Sequence, residues 1–190
     1  MFKNYIKIAW RNILNSKVYS ALNILGLAAG MGVALLIGLW VDYQYSFDKF
    51  LPNYSQLYQV RRNFNSNGDT LTFQTTSLKL ADALRRQVPG IQYVAECDWI
   101  GEHGLMTGDK KLYLGGAIAG TDFFKILQYP FIQGNAGTAF KDAYSIVLTQ
   151  TMAKTLFGNE DAMNKTVRFD NKNDLKVTGI LKDIPGNATV

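Results

Sequence analysis

The longest apolar stretch of the chain lies close to its N-terminus. No charged residue occurs between Lys17 and Asp42, and the 24 positions from Val18 to Val41 are mostly apolar. A helix of that length extends about 36 Å at 1.5 Å per residue, which is enough to cross a hydrocarbon core of about 30 Å. Because lipid offers no hydrogen-bonding partners, a single segment must satisfy its backbone polar groups internally. The pattern therefore predicts a transmembrane helix over residues 18–41.

Two other kinds of segment share part of this pattern. A cleaved signal peptide also begins with basic residues, but its apolar region is about half as long and ends at a small-residue cleavage site. No clean site of that kind follows Trp40. A helix buried in the core of a small soluble domain is normally shorter than this stretch. We therefore favour a membrane span that is retained.

The residues before the span predict a second, shorter helix. Apolar residues recur at helical spacing over residues 2–15 and include Ile6, Ala9, Trp10 and Ile13. The basic residues of the segment are Lys3, Lys7, Arg11 and Lys17. A basic amphipathic helix next to a span either lies in the cytoplasmic membrane interface or continues directly into the span. Residues 1–17 are accordingly interpreted as a cytoplasmic or interfacial helix.

Residues 42–190 contain short strand patterns and short helix patterns in alternation. In chain order they predict a hairpin of Leu57–Phe64 with Leu71–Thr75, a helix from Ser77 to Gln87, extended segments between Ile91 and Ala119, a helix over Thr121–Leu127, a strand over Ser145–Leu148, a helix from Thr149 to Phe157, and a hairpin of Thr166–Phe169 with Leu175–Leu181. Asn67-Gly68 indicates the first hairpin turn, and Gly158 ends the last helix. Such mixing with short links indicates an α+β fold, in which one N-terminal transmembrane helix precedes an extracytoplasmic mixed α/β domain of hairpins and short helices.

Two details of this domain are expected from the positions of apolar residues and glycines. The buried face of the first predicted helix should consist of Leu78, Ala81, Leu84 and Val88. The extended region should be broken into separate pieces at Gly101, Gly104 and Gly108.

The net charge of +5 is distributed unevenly along the chain. The first 41 residues contain 4 of the 20 Lys and Arg residues and none of the 15 Asp and Glu residues, which leaves 16 basic against 15 acidic residues beyond the span. Since basic flanks stay inside, we predict a cytoplasmic N-terminus and an extracytoplasmic location after about residue 42. Trp10, Trp40 and Tyr43 suit the two interfaces, where aromatic rings settle. The basic segment can attract anionic lipids, but the balance gives no support to nucleic-acid binding.

Small residues recur every four positions inside the predicted span. They are Gly26, Gly30, Ala34 and Gly38. Small residues at this spacing let a second helix approach closely, although glycine is also common in membrane helices without such a role. If the pattern is a packing face, the span packs against helices that these 190 residues do not include.

Residues with catalytic or metal-binding side chains are few. One cluster within eight positions contains Glu96, Cys97, Asp98, Glu102 and His103. A single histidine and a single cysteine without a metal-ligand spacing are a poor metal site, and a lone cysteine cannot form an internal disulfide. The segment Gly158–Thr166 is only faintly similar to a phosphate-binding loop, because Asn164 replaces the second glycine and the segment follows a helix. We predict no enzyme activity, no cofactor and no metal site.

Several longer stretches, taken in order, carry a resemblance to a known family. They are FKNYIKIAWRNILNSK with the glycine-rich span, YSFDKF, LYQV, TDFFKILQYPFIQGNAGTAFKD, SIVLTQTMAKTLFGNEDAMNKTVRF and LKVTGILKDIPGNATV. As a set they resemble the first transmembrane helix and the periplasmic core domain of MacB-like and FtsX-like ABC transporter permeases. Members of that family normally continue into three further membrane helices. We therefore expect this chain to be an N-terminal part of such a permease.

The resemblance implies a role in a membrane machine. A separate cytoplasmic ABC ATPase subunit would hydrolyse ATP, a second permease protomer would pair with the first, and a periplasmic protein would be a further partner. The span would carry movement to the periplasmic domain for export or efflux across the bacterial cytoplasmic (inner) membrane. Two alternatives remain open, namely a single-span ligand-binding or sensor module and a tethered enzyme that uses the region from Cys97 to His103.

Overall fold

The computed structural model describes residues 2–189, and the chain divides into two compact units. Met1–Phe47 forms the N-terminal unit and Asp48–Val190 forms the sheet unit. Each unit is described by itself below.

The N-terminal unit consists of two helices. Helix α1 spans Phe2–Asn15 and helix α2 spans Lys17–Tyr45. Ser16 separates them, since its backbone has non-helical angles of φ −112° and ψ 54°. The helical hydrogen bonds nevertheless continue across this residue, since the Ser16 N–H donates to the Asn12 carbonyl oxygen at 3.0 Å and the Ser20 N–H donates to the Ser16 carbonyl oxygen at 2.9 Å.

Helix α2 confirms the predicted helix and extends it. It has 29 residues and begins one residue before the predicted span and ends four residues after it. By length and composition it could cross a membrane, and it is the one such helix among residues 2–189. No residue of its apolar window is buried, whereas a core helix of a soluble domain is mostly buried. Helix α2 is therefore a candidate membrane span and not a core helix of the described chain.

The sheet unit contains eight strands and three α-helices in its described part. The strands are β1 (Arg62–Ser66), β2 (Asp69–Phe73), β3 (Gly101–Thr107), β4 (Lys110–Gly116), β5 (Phe131–Gln133), β6 (Ser145–Thr149), β7 (Thr166–Phe169) and β8 (Asn173–Leu181). The helices are α3 (Leu80–Gln87), α4 (Phe123–Leu127) and α5 (Gln150–Phe157), and Tyr54–Gln56 forms a short 3-10 turn.

The strands form two sheets. β1 and β2 pair as a separate antiparallel hairpin. The larger sheet has the order β4-β3-β7-β8-β5, with antiparallel neighbours, and β6 runs parallel to β8. The fold is therefore mixed α and β, as the sequence predicted.

The strand-to-helix unit β6-α5 shows how local sequence signals set the boundaries. The Thr149 hydroxyl oxygen accepts a hydrogen bond from the Met152 N–H at 3.3 Å, which satisfies one of the free donors at the start of the helix. Gly158 follows the helix with φ +68°, a conformation that favours glycine. Both boundaries were predicted from these residue types.

Buried side chains of the sheet unit form two clusters. In the first, helix α5 packs on the larger sheet, and the cluster includes Leu105, Leu148, Leu156, Val167 and Val177. The second cluster, which we call the aromatic core, includes Leu51, Phe124, Tyr129, Ala139 and Leu181. Because Leu181 is the last residue of β8, the larger sheet contributes a side chain to the aromatic core.

The first hairpin is shorter than predicted. β1 begins at Arg62 and not at Leu57, because pairing starts beside the Asn67-Gly68 turn and extends only as far as Phe73 of β2. The turn itself is confirmed, since Asn67 and Gly68 both have positive φ.

Helix α3 also starts later than predicted, at Leu80. Ala81 is buried and Leu84 is half-buried, whereas Leu78 is 86% exposed and Val88 is exposed. Leu78 precedes the helix, so it does not share the helical periodicity on which its predicted burial rested.

One of the three expected glycine breaks is wrong. Gly104 lies inside β3, where it pairs with Tyr113 of β4, whereas Gly101 is the residue at which β3 begins. Gly108 does form the turn between these strands, with φ +54°. The three-residue strand β5 has no periodic signal of its own and was not predicted.

Candidate functional site

A residue shortly after helix α2 is hydrogen-bonded to residues 187–189 of the sheet unit. We call residues 48–57 the junction segment. The Asp48 carboxylate accepts a hydrogen bond from the Thr189 N–H at 2.8 Å and another from the Thr189 hydroxyl. The Asp48 N–H donates to the Asn187 carbonyl oxygen at 3.1 Å. These three bonds, which we call the Asp48 clasp, join the start of the sheet unit to residues 187–189.

A single leucine anchors the same segment in the aromatic core. Leu51 is 4% exposed and packs with Phe124, Tyr129 and Leu181. Its N–H donates to the Asp48 carbonyl oxygen at 3.0 Å, so the turn that carries the clasp also positions the leucine. Phe50 stacks on Tyr129 with ring centroids 6.0 Å apart. The junction segment is thus part of the packed domain and is not a free linker.

The aromatic core stays uncharged at ordinary pH. Tyr129 is buried, and its burial raises the pKa of the phenol to about 12, with further contributions from the negative charges of Asp48 and Cys97. Burial disfavours the ionised form because the low-dielectric interior solvates it poorly. Tyr129 is therefore an uncharged ring that stacks on Phe50 and forms part of the aromatic core in which Leu51 is buried.

The four small residues of the predicted span all lie on helix α2. Apart from the adjoining backbone of the helix itself, no described atom lies within 4 Å of the position that a Cβ would take at Gly26, Gly30 or Gly38, and Ala34 is exposed. Because 3.6 residues make one turn, the four positions wind gradually by about 120° around the helix. They form an exposed strip of low side-chain volume.

The residues predicted for the membrane interfaces lie at both ends of the N-terminal unit. Helix α1 carries Lys3, Lys7, Trp10 and Arg11, helix α2 begins at Lys17, and its last part carries Trp40 and Tyr43. All of them are exposed. Tyr43 makes an edge-on ring contact with Phe47 at 5.3 Å.

The residues between Glu96 and His103 do not come together as one site. Glu96 lies 3.4 Å from the Arg85 guanidinium, and His103 pairs with Asp170. Burial, and then the neighbouring Asp98 charge, raise the pKa of the Cys97 thiol, which disfavours the reactive thiolate. No three His, Cys, Asp or Glu side chains among residues 2–189 are grouped so that they could hold a metal ion.

Sequence reasoning did not identify the junction residues. Asp48 and Leu51 lie in or next to YSFDKF, which was noted only for its resemblance to permeases. Leu51 is a single apolar residue before Pro52 and so shows no periodic pattern. Thr189, the partner of Asp48, is 141 residues away in the sequence. The only sequence signal near these residues was that apolar and acidic residues occur together directly after the span.

Comparison with known proteins identifies the class of this fold. Residues 20–190 match the family model described as the MacB-like periplasmic core domain. The chain belongs to this family, and the predicted resemblance is confirmed. The family is a component of transporter permeases, so membership supports a transporter permease-related role. No curated protein sequence matches the chain.

Two solved structures are similar to part of the chain. The chain is similar to a domain assigned to a permease protein of Porphyromonas gingivalis, with a TM-score of 0.56 and 20% identity over 68% of this chain and 57% of that chain. This likeness shows the fold. The periplasmic region of MacB from Actinobacillus actinomycetemcomitans has a TM-score of 0.49 and 26% identity over 65% of this chain and 59% of that chain. The chain thus spans somewhat more than half the length of the solved chains that it matches.

Proposed function

We propose that the chain is the N-terminal part of a permease subunit of an ABC-type transporter. In this proposal a separate cytoplasmic ATPase subunit hydrolyses ATP, helix α2 carries the resulting movement across the membrane, and the sheet unit moves outside for export or efflux. The Asp48 clasp is the observation that carries the proposal. A domain that is merely tethered needs no such fastening at the point where its membrane helix ends.

The length of the connection supports transmission of movement. Helix α2 ends at Tyr45, and the Ser46 N–H still donates to the Asp42 carbonyl oxygen at 3.0 Å. Asp48 is already held by the clasp, so only Ser46 and Phe47 lie between the helix and the fastened residue. A two-residue connection has little slack compared with a flexible linker. In this proposal the short connection passes displacement of the helix end on to the sheet unit.

The proposal assigns a location to each part of the chain. The N-terminus faces the cytoplasm of a bacterium, residues 18–41 cross the inner membrane, and residues after about 42 are periplasmic. The interface residues Lys3, Lys7, Arg11, Lys17, Trp10, Trp40 and Tyr43 contact lipid headgroups. The strip of Gly26, Gly30, Ala34 and Gly38 packs against a second protomer or further permease helices. A periplasmic protein is a further partner, and the chain itself is not an enzyme.

The coupling is tested on the intact protein purified from its own membranes. We expect an ABC ATPase to copurify and to be identified by mass spectrometry. Addition of ATP should change hydrogen exchange in the junction segment and in β8. Asp48→Ala should abolish this change while ATP hydrolysis continues, because the clasp is lost but the ATPase is not touched. Asp109→Ala, which removes an exposed carboxylate from the β3–β4 turn, is the matched control and should behave as wild type.

Two results would count against the proposal. If no ATPase copurifies, the tethered sensor becomes the better interpretation. If Asp48→Ala leaves the ATP-dependent exchange unchanged, the clasp does not transmit movement.

The helix strip has its own test. Gly30→Leu should reduce copurification of the other transporter components without affecting membrane insertion, because a bulky side chain prevents close helix approach. Gly32→Leu is the matched control, since Gly32 lies about 200° around the helix from Gly30. Equal assembly of both variants would show that the strip is not a packing face.

A further inference from the structure

Helix α1 carries apolar side chains that the rest of the described chain does not cover. Every residue from Lys3 to Asn15 is exposed. The exposed side chains include large apolar ones, with Ile6 and Trp10 each at 63%. A helix of 14 residues is only marginally stable in water by itself, because its few backbone hydrogen bonds barely offset the cost of ordering the chain. Helix α1 therefore needs a surface that receives its apolar side.

The basic side chains of helix α1 form a stripe on another side of the helix. This basic stripe consists of Lys3, Lys7 and Arg11. Because its members recur every four positions and 3.6 residues make one turn, they fall within an arc of about 80°. Ile6, Ala9 and Ile13 fall within an arc of about 60°, and its centre lies about 130° from the centre of the basic stripe. The helix therefore has an apolar side and a separate cationic side.

We propose that helix α1 selects anionic lipids, with its apolar side in the acyl boundary of the bilayer and the basic stripe against anionic headgroups. The inference rests on the proposed function, which places the N-terminus at the cytoplasmic leaflet, and adds a preference for one class of lipid. Charge complementarity supports it, because that leaflet is negatively charged and attracts basic segments next to a span. No acidic residue among positions 1–41 opposes this attraction.

A bilayer fits this helix better than a groove on a partner protein. Helix α1 ends at Asn15 and helix α2 begins at Lys17, so a span formed by α2 keeps α1 within reach of the membrane surface. A tethered segment binds as if its partner were present at a high local concentration. The non-helical backbone of Ser16 allows α1 to leave the axis of α2. A protein groove would need an apolar floor and an acidic wall, whereas an anionic bilayer surface supplies both.

The number of charges in the basic stripe sets the size of the expected preference. Each Lys or Arg close to an anionic membrane surface favours binding by about fivefold. The three residues of the basic stripe together favour an anionic over a neutral bilayer by up to about 100-fold. Salt weakens the attraction, because the screening length falls from about 8 Å at physiological ionic strength to about 3 Å at 1 M. The preference should therefore disappear at high salt.

Hydrogen exchange of the full chain in lipid nanodiscs tests the proposal. The discs contain either phosphatidylcholine alone or an equimolar mixture of phosphatidylcholine and phosphatidylglycerol. We expect the amides of helix α1 to be protected about tenfold or more in the anionic discs relative to the neutral ones. The triple variant Lys3→Gln, Lys7→Gln, Arg11→Gln should remove this difference, because it removes the charges. The triple variant Lys3→Arg, Lys7→Arg, Arg11→Lys is the matched control, since it keeps every charge and should behave as wild type.

Each outcome supports or overturns the proposal. Equal protection in neutral and anionic discs overturns it, and so does a difference that persists in the glutamine variant or is lost in the charge-conserving control. Protection that appears only when an ATPase is added would show that helix α1 docks on a protein, which also overturns it. If the glutamine variant does not insert, the wild-type comparison repeated in about 1 M salt decides, because the difference should then be lost. The measurement needs no ATPase, so its failure is distinguishable from a failure of the proposed function.

Discussion

Replacing Leu51 with alanine probes the anchor of the junction segment directly. Leu51 is the buried residue that joins the turn after the span to the aromatic core. The substitution removes three methyl and methine groups from this core but leaves the Asp48 clasp chemically intact. It therefore separates the packing contribution of the anchor from its hydrogen bonds.

The expected magnitude follows from burial and from the surroundings. At 4% exposure, Leu51 gains nearly the full transfer free energy of a buried leucine, about 1.5–3 kcal/mol. A cavity adds to this loss, and leucine-to-alanine changes in cores cost about 2–5 kcal/mol in total. The neighbouring rings already pack against one another, as Phe124 does with Tyr129 and Phe140, so they collapse poorly into the space. We expect a loss of about 3 kcal/mol in the free energy of unfolding.

Calorimetry of the full chain in detergent measures this loss. For a domain of about 150 residues, 3 kcal/mol corresponds to a fall in Tm of about 10 °C. Leu78→Ala removes the same groups from a side chain that is 86% exposed, and its Tm should stay within about 2 °C of the wild type. Equal Tm values for the two variants would refute the reasoning, because they would mean that the junction segment is not packed in the core.

Two further predictions concern local geometry and pH. Gly134 has φ +82°, and a Cβ there would lie 2.7 Å from the Thr178 carbonyl oxygen, so Gly134→Ala should cost about 1–3 kcal/mol in a denaturant titration. Gly115→Ala, where the nearest atom is at 3.8 Å, should change stability far less, and equal losses would contradict this account. Hydrogen bonds from the Thr151 hydroxyl and N–H lower the pKa of Asp183, so the stability that Asp183 contributes is present at neutral pH and is lost as the pH falls below about 4. Asp183→Asn should therefore lower the denaturation midpoint at neutral pH and converge with the wild type in acid, whereas a difference that is constant with pH would exclude this linkage.

Elements with their own local signals were predictable from the sequence. Helix α2 is recognised by length and lack of charge, and helix α5 by Thr149 and Gly158. The β7–β8 hairpin was predicted because two apolar strands flank a polar turn. By contrast, β5 exists only because Phe131 and Gln133 pair with the end of β8, and a three-residue strand has no pattern without its partner. The parallel pairing of β6 with β8 is equally a product of long-range contacts.

The candidate site was less predictable than the fold. The small residues of α2 could be found because their spacing is periodic. The clasp could not, because aspartate and threonine are common surface residues and only the folded chain brings Asp48 to Thr189. Leu78 illustrates the opposite error, since an apolar residue just before a helix fits the helical period by accident and lies in solvent.

The sequence positions of the two clasp partners also determine when the Asp48 clasp can form during synthesis. Asp48 and Thr189 are separated by 141 residues. At a synthesis rate of about 5–20 residues per second, roughly 7–28 s pass between the appearance of the two partners. Closing so long a loop also costs more chain entropy than forming the local hairpins. The span is therefore synthesised well before both partners of the clasp are available.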